Sequence, residues 1–180
     1  MALEPGTHKV GPDNGMLEVH TFREGMAQKV GHDLIMGVER WEATVEAGQD
    51  GTLTSVALDA DGQSLRVKEG RHGLKSLSDK DLKDIHESID DKILRKQPVI
   101  FRSSSIEQTD GRVTVSGELT IAGTARPAKF ELALEDGNRI AGTLKVTQSD
   151  WGIKPYKAMM GALKVRDDVD IVIDVALPAT

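Results

Sequence analysis

Five histidines, His8, His20, His32, His72 and His86, are the first residues of this chain to consider for chemistry. None stands two or four residues from another, and a metal site needs three or four converging ligands. His32 alone adjoins an acid in a strand-like stretch, "VGHDLIMGV" (30–38). With Asp33 it could serve as the acid–base pair of an isomerase or hydrolase in a closed pocket. A partly buried structural histidine is the commoner role, and no nucleophile accompanies the pair. Asp59, Asp61 and Glu69 suggest a calcium loop, but Gly62 is fourth and Glu69 eleventh from Asp59, where such a loop needs the sixth and twelfth places. The serines of "RSSSIEQ" (102–108) lack a G-x-S-x-G elbow. Neither glycine motif for phosphate occurs. Adjacent acids such as Asp90-Asp91 and Asp167-Asp168 read as solvated edges. With no cysteine, thiol catalysis, disulfides and thiolate metal sites are excluded. No catalytic or metal constellation emerges, and no cofactor is required.

The elements that would position a site are mostly strands. Asp50-Gly51, Asp61-Gly62, Asp110-Gly111 and Asp136-Gly137 are hairpin-turn dipeptides, because Asp and Gly tolerate positive φ. Alternating segments flank them. Phe130, Leu132 and Leu134 share one face before the last turn; Ile140, Leu144 and Val146 share one after it, with Gly142 in the missing place. "VDIVIDVAL" puts Val169, Ile171, Ile173, Val175 and Leu177 on a dry face opposite Asp170 and Asp174. One segment has helical spacing instead: Leu82, Ile85, Ile89 and Ile93 predict an amphipathic helix over about 78–94, capped by Ser78 and Asp81 and stopped by Pro98. Eight or nine strands and one helix in a single domain, 1–180, predict a mainly β fold closed into a barrel or sandwich, since open sheets expose their edges.

Composition narrows the partners. The chain of 180 residues is 38% hydrophobic and 29% charged, with a net charge of −6. That balance argues against nucleic acid, which selects basic surfaces, and gives no positive reason to bind anionic lipid headgroups. No apolar run reaches the roughly 20 residues of a membrane helix, so no stable membrane insertion is expected. The first residues lack an apolar signal core, which predicts a cytoplasmic location, or an exported one had a leader been removed.

Apolar residues in unusual places are the remaining clue. The chain has only six aromatic residues, yet Trp151 and Tyr156 sit beside Met159 and Met160 in the loop-like "SDWGIKPYKAMMGALKV" (149–165). Rigid rings with pliable thioethers suit either core filling or an adaptable ligand border.

Three stretches together resemble the YceI-like, polyisoprenoid-binding family: "SGELTIAGTARPAKFEL" (116–132), "KQPVIFRSSSI" (96–106), and "QSDWGIKP" with "GALKVRDDVDIVIDVAL". His32, ahead of "DLIMGVERWEATVE", matches a histidine before that family's second long strand. The resemblance implies an elongated antiparallel eight-stranded lipocalin-like β-barrel with an apolar channel, here carrying the helix of about 78–94 as an insertion. It implies a non-catalytic binder of a long amphipathic lipid, such as an isoprenoid quinone or polyprenyl chain. The expected lining is Leu17, Val19, Phe22, Leu34, Met36, Trp41, Phe101, Phe130, Leu132, Leu144 and Val146, bordered by Trp151, Tyr156, Met159 and Met160, with His32 as a polar contact for a headgroup. The expected partner is thus a hydrophobic small molecule, and a homodimer is allowed. Two alternatives stand beside this: a barrel filled by its own side chains that serves as a scaffold, and the His32/Asp33 enzyme.

Overall fold

The computed structural model describes residues 3–136 and 138–178. The chain enters through β1 (Gly6–Val10) and β2 (Gly15–Thr21), separated by a 3-10 turn at Pro12–Asn14, where Pro12 has no N–H to give a ladder. After the two-residue β3 (Arg23–Glu24) come β4 (Asp33–Val38) and β5 (Trp41–Ala47), then β6 (Leu53–Ala60) and β7 (Leu65–Arg71). The helix α1 (Asp79–Ser88) follows. Four long strands, β8 (Val99–Thr109), β9 (Arg112–Ile121), β10 (Thr124–Glu135) and β11 (Arg139–Thr147), form a run of hairpins. The short β12 (Lys157–Ala158) and β13 (Leu163–Val165) precede β14 (Asp168–Ala176).

Eleven strands make one curled antiparallel sheet in the order β1-β5-β6-β8-β9-β10-β11-β14-β2-β4-β7; β12, β13 and β3 make a small second sheet. The large sheet thus counts eleven strands where eight were expected, because the longest runs are interrupted. Long strands are broken by bends: β1 and β2 run against β5 and β4, which in turn run against β6 and β7. The bend between β4 and β5 is held across to its neighbour, with Glu39 N–H donating to Ser64 O at 3.1 Å and Asp61 N–H to Arg40 O at 2.9 Å. The fully buried Ser64 adds its hydroxyl, which accepts from Arg40 N. Backbone groups at the corner are thus paired even where strand geometry lapses.

The turns divide in the same way. Asp110 and Gly111 take φ of 51° and 79° between β8 and β9, the left-handed pair of a two-residue hairpin. Asp136 has φ 45° after β10; its neighbour Gly137 lies outside the described residues. Asp61-Gly62 is not a hairpin, because β6 and β7 do not pair with each other. Here the chain turns a corner instead: the Asp61 carboxylate accepts from Gln63 N, and a Cβ at Gly62 would stand 2.5 Å from Gln97 O.

The ladder between β10 and β11 is the shortest in the large sheet. β10 and β11 share three residue pairs, ending at Ala133 and Ala141, whereas β9–β10 and β11–β14 are paired nearly end to end. Gly142 marks the place of divergence, and a Cβ there would come within 2.8 Å of Glu131 O. The 3-10 turn Gln148–Trp151 lays the buried Trp151 beside β10, its Nε1–H donating to Leu119 O at 2.8 Å.

The helix forms as its sequence predicts. Ser78 Oγ accepts from Asp81 N, and Asp81 returns the bond to Ser78 N, so both ends of the first turn are satisfied. A π-helical turn at Ile89–Ile93 extends it. Of the expected stripe, Ile85, Ile89 and Ile93 face the interior of the curled sheet, joined there by Leu94, whereas Leu82 lies outside the lining.

Candidate functional site

Side chains from all eleven strands of the large sheet and from the helix face one cavity of about 810 Å³. A cavity of this size suits a single small or chain-like molecule, for which pockets of about 300–1,000 Å³ are usual. The lining follows strand periodicity: on one strand every second side chain points inward. Thus β2 contributes Leu17 and Val19, β4 Leu34 and Met36, and β5 Trp41. Phe101 from β8 and Phe130 from β10 meet edge to face with centroids 5.3 Å apart. Leu132, Leu144 and Val146 complete the expected set on β10 and β11, opposite Ile171 and Ile173 of β14.

Polar groups collect at one end. There the strand ends of β2, β4 and β7 meet the small second sheet and the segment 72–77. Thr21 is nine-tenths buried, and its Oγ1 has no hydrogen-bond partner among the described residues. Arg23 lines the same end, with its Nε and Nη1 buried and likewise unpartnered. The nearest carboxylate oxygen, Asp33 Oδ2, is 3.7 Å from Nη1, too far for a hydrogen bond. Asp33 is engaged elsewhere: its Oδ1 accepts from Arg23 N at 2.8 Å, and Oδ2 lies 3.4 Å from His72.

His32 and Asp33 therefore do not form an acid–base pair. His32 Nε2–H donates to Lys75 O at 2.6 Å, tying the segment 72–77 to the start of β4. The acids near the cavity are also held. Arg40 and Gln63 N–H keep the Asp61 carboxyl below the usual carboxylate range, and the Ser78 backbone and hydroxyl do the same for Asp81. Burial, helped by Arg66, pushes the His86 imidazole below its ordinary value; its Nε2 accepts from Val67 N at 3.2 Å, joining α1 to β7.

Of the sixteen expected site residues, His32 and Tyr156 border the cavity together with the strand residues named above. Four do not line it. Phe22 turns away, its ring under the Arg166 guanidinium at 5.8 Å. Trp151 fills the divergence between β10 and β11 behind the wall, reaching a separate cleft and not the main cavity. Met159 and Met160 are exposed, Met160 fully so. Both have left-handed φ, 53° and 58°, which turns their side chains outward at a bend. Sequence reasoning missed Thr21 and Arg23. The break of alternation at "HTFRE" (20–24) marks a strand end, but only the fold reveals two guanidinium nitrogens buried without an acceptor.

The YceI-like domain model matches residues 25–177. The chain belongs to the YceI-like family. Among solved structures it is similar to BcnA of Burkholderia cenocepacia, at 18% identity over 91% of this chain and 96% of that one, with a TM-score of 0.62. It is also similar to the Campylobacter jejuni YCEI protein, at 18% identity over 84% and 86%, TM-score 0.54. A mutant of that protein, solved with a monobromobimane guest structure, gives 18% identity over the same shares and a TM-score of 0.56. These likenesses are of fold. No curated protein matches the chain. Among the described residues of this YceI-like protein, no helix is long and apolar enough to cross a membrane.

Proposed function

We propose that this protein binds and carries a long amphipathic lipid, with an isoprenoid quinone or polyprenyl chain as the leading candidates, and catalyses no reaction on it. The observation that carries this reading is the apolar cavity of about 810 Å³ enclosed by the curled sheet. Taking each bent strand as one run, β1–β2, β4–β5 and β6–β7 join β8, β9, β10, β11 and β14 in a ring of eight, a lipocalin-like barrel. A barrel of that size has room for one small ligand. An apolar tail would lie among Leu17, Phe101, Phe130, Leu144 and Ile171. The headgroup would sit at the Thr21–Arg23 end, where unpartnered donors await an acceptor. Family membership supports binding over catalysis. The occupied-core scaffold loses ground because the interior is not filled by the protein's own side chains.

Organic extraction of gently purified protein followed by mass spectrometry tests the proposal. A stoichiometric lipid in the extract supports it. An empty protein that also fails to take up quinone or polyprenyl alcohol from solution rejects it.

A further inference from the structure

The net charge conceals a division that bears on how the cavity meets its surroundings. Three segments surround the polar end of the cavity: 25–32, 71–77 and 152–166. They are neighbours in space. Ala27 N–H donates to Ala162 O at 2.8 Å, Gly31 packs against Leu163, and His32 bonds to Lys75 O. Together they contain seven Lys and Arg and no Asp or Glu, in a chain whose net charge is −6. Lys29, Lys75, Lys154 and Lys157 are exposed and form no ion pair among the described residues. Acids at the same end are engaged: Glu24 by Lys164 and Arg166, Glu69 by Arg71, Asp33 by Arg23 and His72, and, on the helix, Asp81 by Ser78 and Asp84 by Lys80.

The same segments carry the large exposed apolar side chains. Met26 is 97% exposed, Leu74 73% and Met160 107%, and Met159, Val30 and Tyr156 are exposed to about half. No other large apolar side chain is exposed among the described residues. Apolar side chains in water at the tips of adjoining segments, interleaved with unpaired lysines, are the composition of a surface that enters a membrane interface. The left-handed φ at Met159 and Met160 is strained for such residues, and strain of this kind gathers at functional positions.

We infer that this face docks on an anionic lipid bilayer, its apolar tips seated at the boundary between headgroups and acyl chains and its lysines on the phosphates, with this end of the cavity facing the membrane. The positive segments select a negatively charged surface, and a second copy of this face would repel it. Docking goes beyond the carrier reading and does not depend on what the cavity holds.

Vesicle flotation tests it, using phosphatidylcholine alone and equimolar phosphatidylcholine with phosphatidylglycerol. The protein should float with the anionic vesicles, remain behind with the neutral ones, and be released by raised salt. Lys29→Gln with Lys157→Gln should weaken binding by about fivefold for each lysine removed. Met26→Ser with Met160→Asn should weaken it further; Asn tolerates the left-handed backbone at that bend, so the fold is retained. No flotation with either vesicle, or flotation that all these variants leave unchanged, would overturn the inference. So would a concentration-dependent dimer that the methionine variants abolish in the absence of flotation. Lipid extraction on the same preparations separates the two claims. Bound ligand without flotation sinks docking alone, and flotation of a protein that never holds ligand sinks the carrier reading alone.

Discussion

Arg23 carries the most unusual chemistry in the molecule. A buried donor without an acceptor costs about 1–3 kcal/mol, and a guanidinium matches a two-oxygen acceptor in plane. Arg23→Met keeps the length of the side chain and removes its donors. We predict that this variant is at least as stable toward urea as the parent, yet loses affinity for amphiphiles with a carboxylate or phosphate head more than for uncharged ones. Equal losses for both classes would show that Arg23 does not recognise the headgroup. Trp151 offers a contrasting case. Its indole is buried and hydrogen-bonded to Leu119 O, so Trp151→Ala should cost about 3–5 kcal/mol of stability. Trp151→Phe should cost about 1 kcal/mol, the worth of the lost bond; a urea midpoint unmoved in both variants would remove it from the wall. The sequence displays an aromatic residue in a Gly- and Pro-containing segment, and either side of a barrel wall fits that description. Leu132, Leu144 and Val146 were readable because alternation assigns them a face. Thr21 and Arg23 were not, because their burial depends on β3, β13 and residues far away along the chain.

The helix is tied to the sheet through a titratable contact. Burial holds the His86 pKa below its ordinary value of 6.5, so the unfolded chain takes up a proton more readily than the folded one. Its contribution to stability is complete above that ordinary value and declines as pH falls below it and through the lower folded value. We predict a fall in thermal midpoint on acidification across this window, reduced in His86→Gln, whose amide oxygen still accepts from Val67 N–H. Superimposable pH profiles for the two proteins would dismiss this role. Asp174, held below the usual range by the hydrogen bonds of Arg139, responds only at more acid pH, which keeps the two effects apart. On the opposite wall, Gly142→Val should cost about 1–3 kcal/mol by overpacking, because the backbone oxygen of Glu131 cannot move aside as a side chain can. A Gly142→Val protein as stable as the parent would mean that the seam has slack. The capping residues, the apolar stripe and the hairpin at Asp110-Gly111 were all visible in the sequence. The corner at Asp61-Gly62 was not, since the same dipeptide serves a turn that reverses the chain and one that only bends it. What decides is the partner strand, and local sequence does not name it.

For the molecule as a whole, ligand and fold should be thermodynamically linked. A ligand bound only by the native state at a hundredfold excess over its Kd adds about 2.7 kcal/mol. For a protein of this size that is a rise of roughly 5–10 °C in thermal midpoint. Calorimetry before and after delipidation would measure it, and identical traces would show that nothing specific occupied the interior. The overall architecture was accessible from turn spacing and alternation, while the number of strands was overstated in continuity because bends interrupt long strands without ending their pairing. Net charge was the least informative quantity, since a sum cannot show where its components lie. The seam between β10 and β11 has a mechanical corollary. Beyond Ala133 and Ala141 the two strands hold together through an indole and neighbouring side chains in place of a ladder, so the continuity of the wall at that point rests on how well those side chains fit and not on backbone pairing.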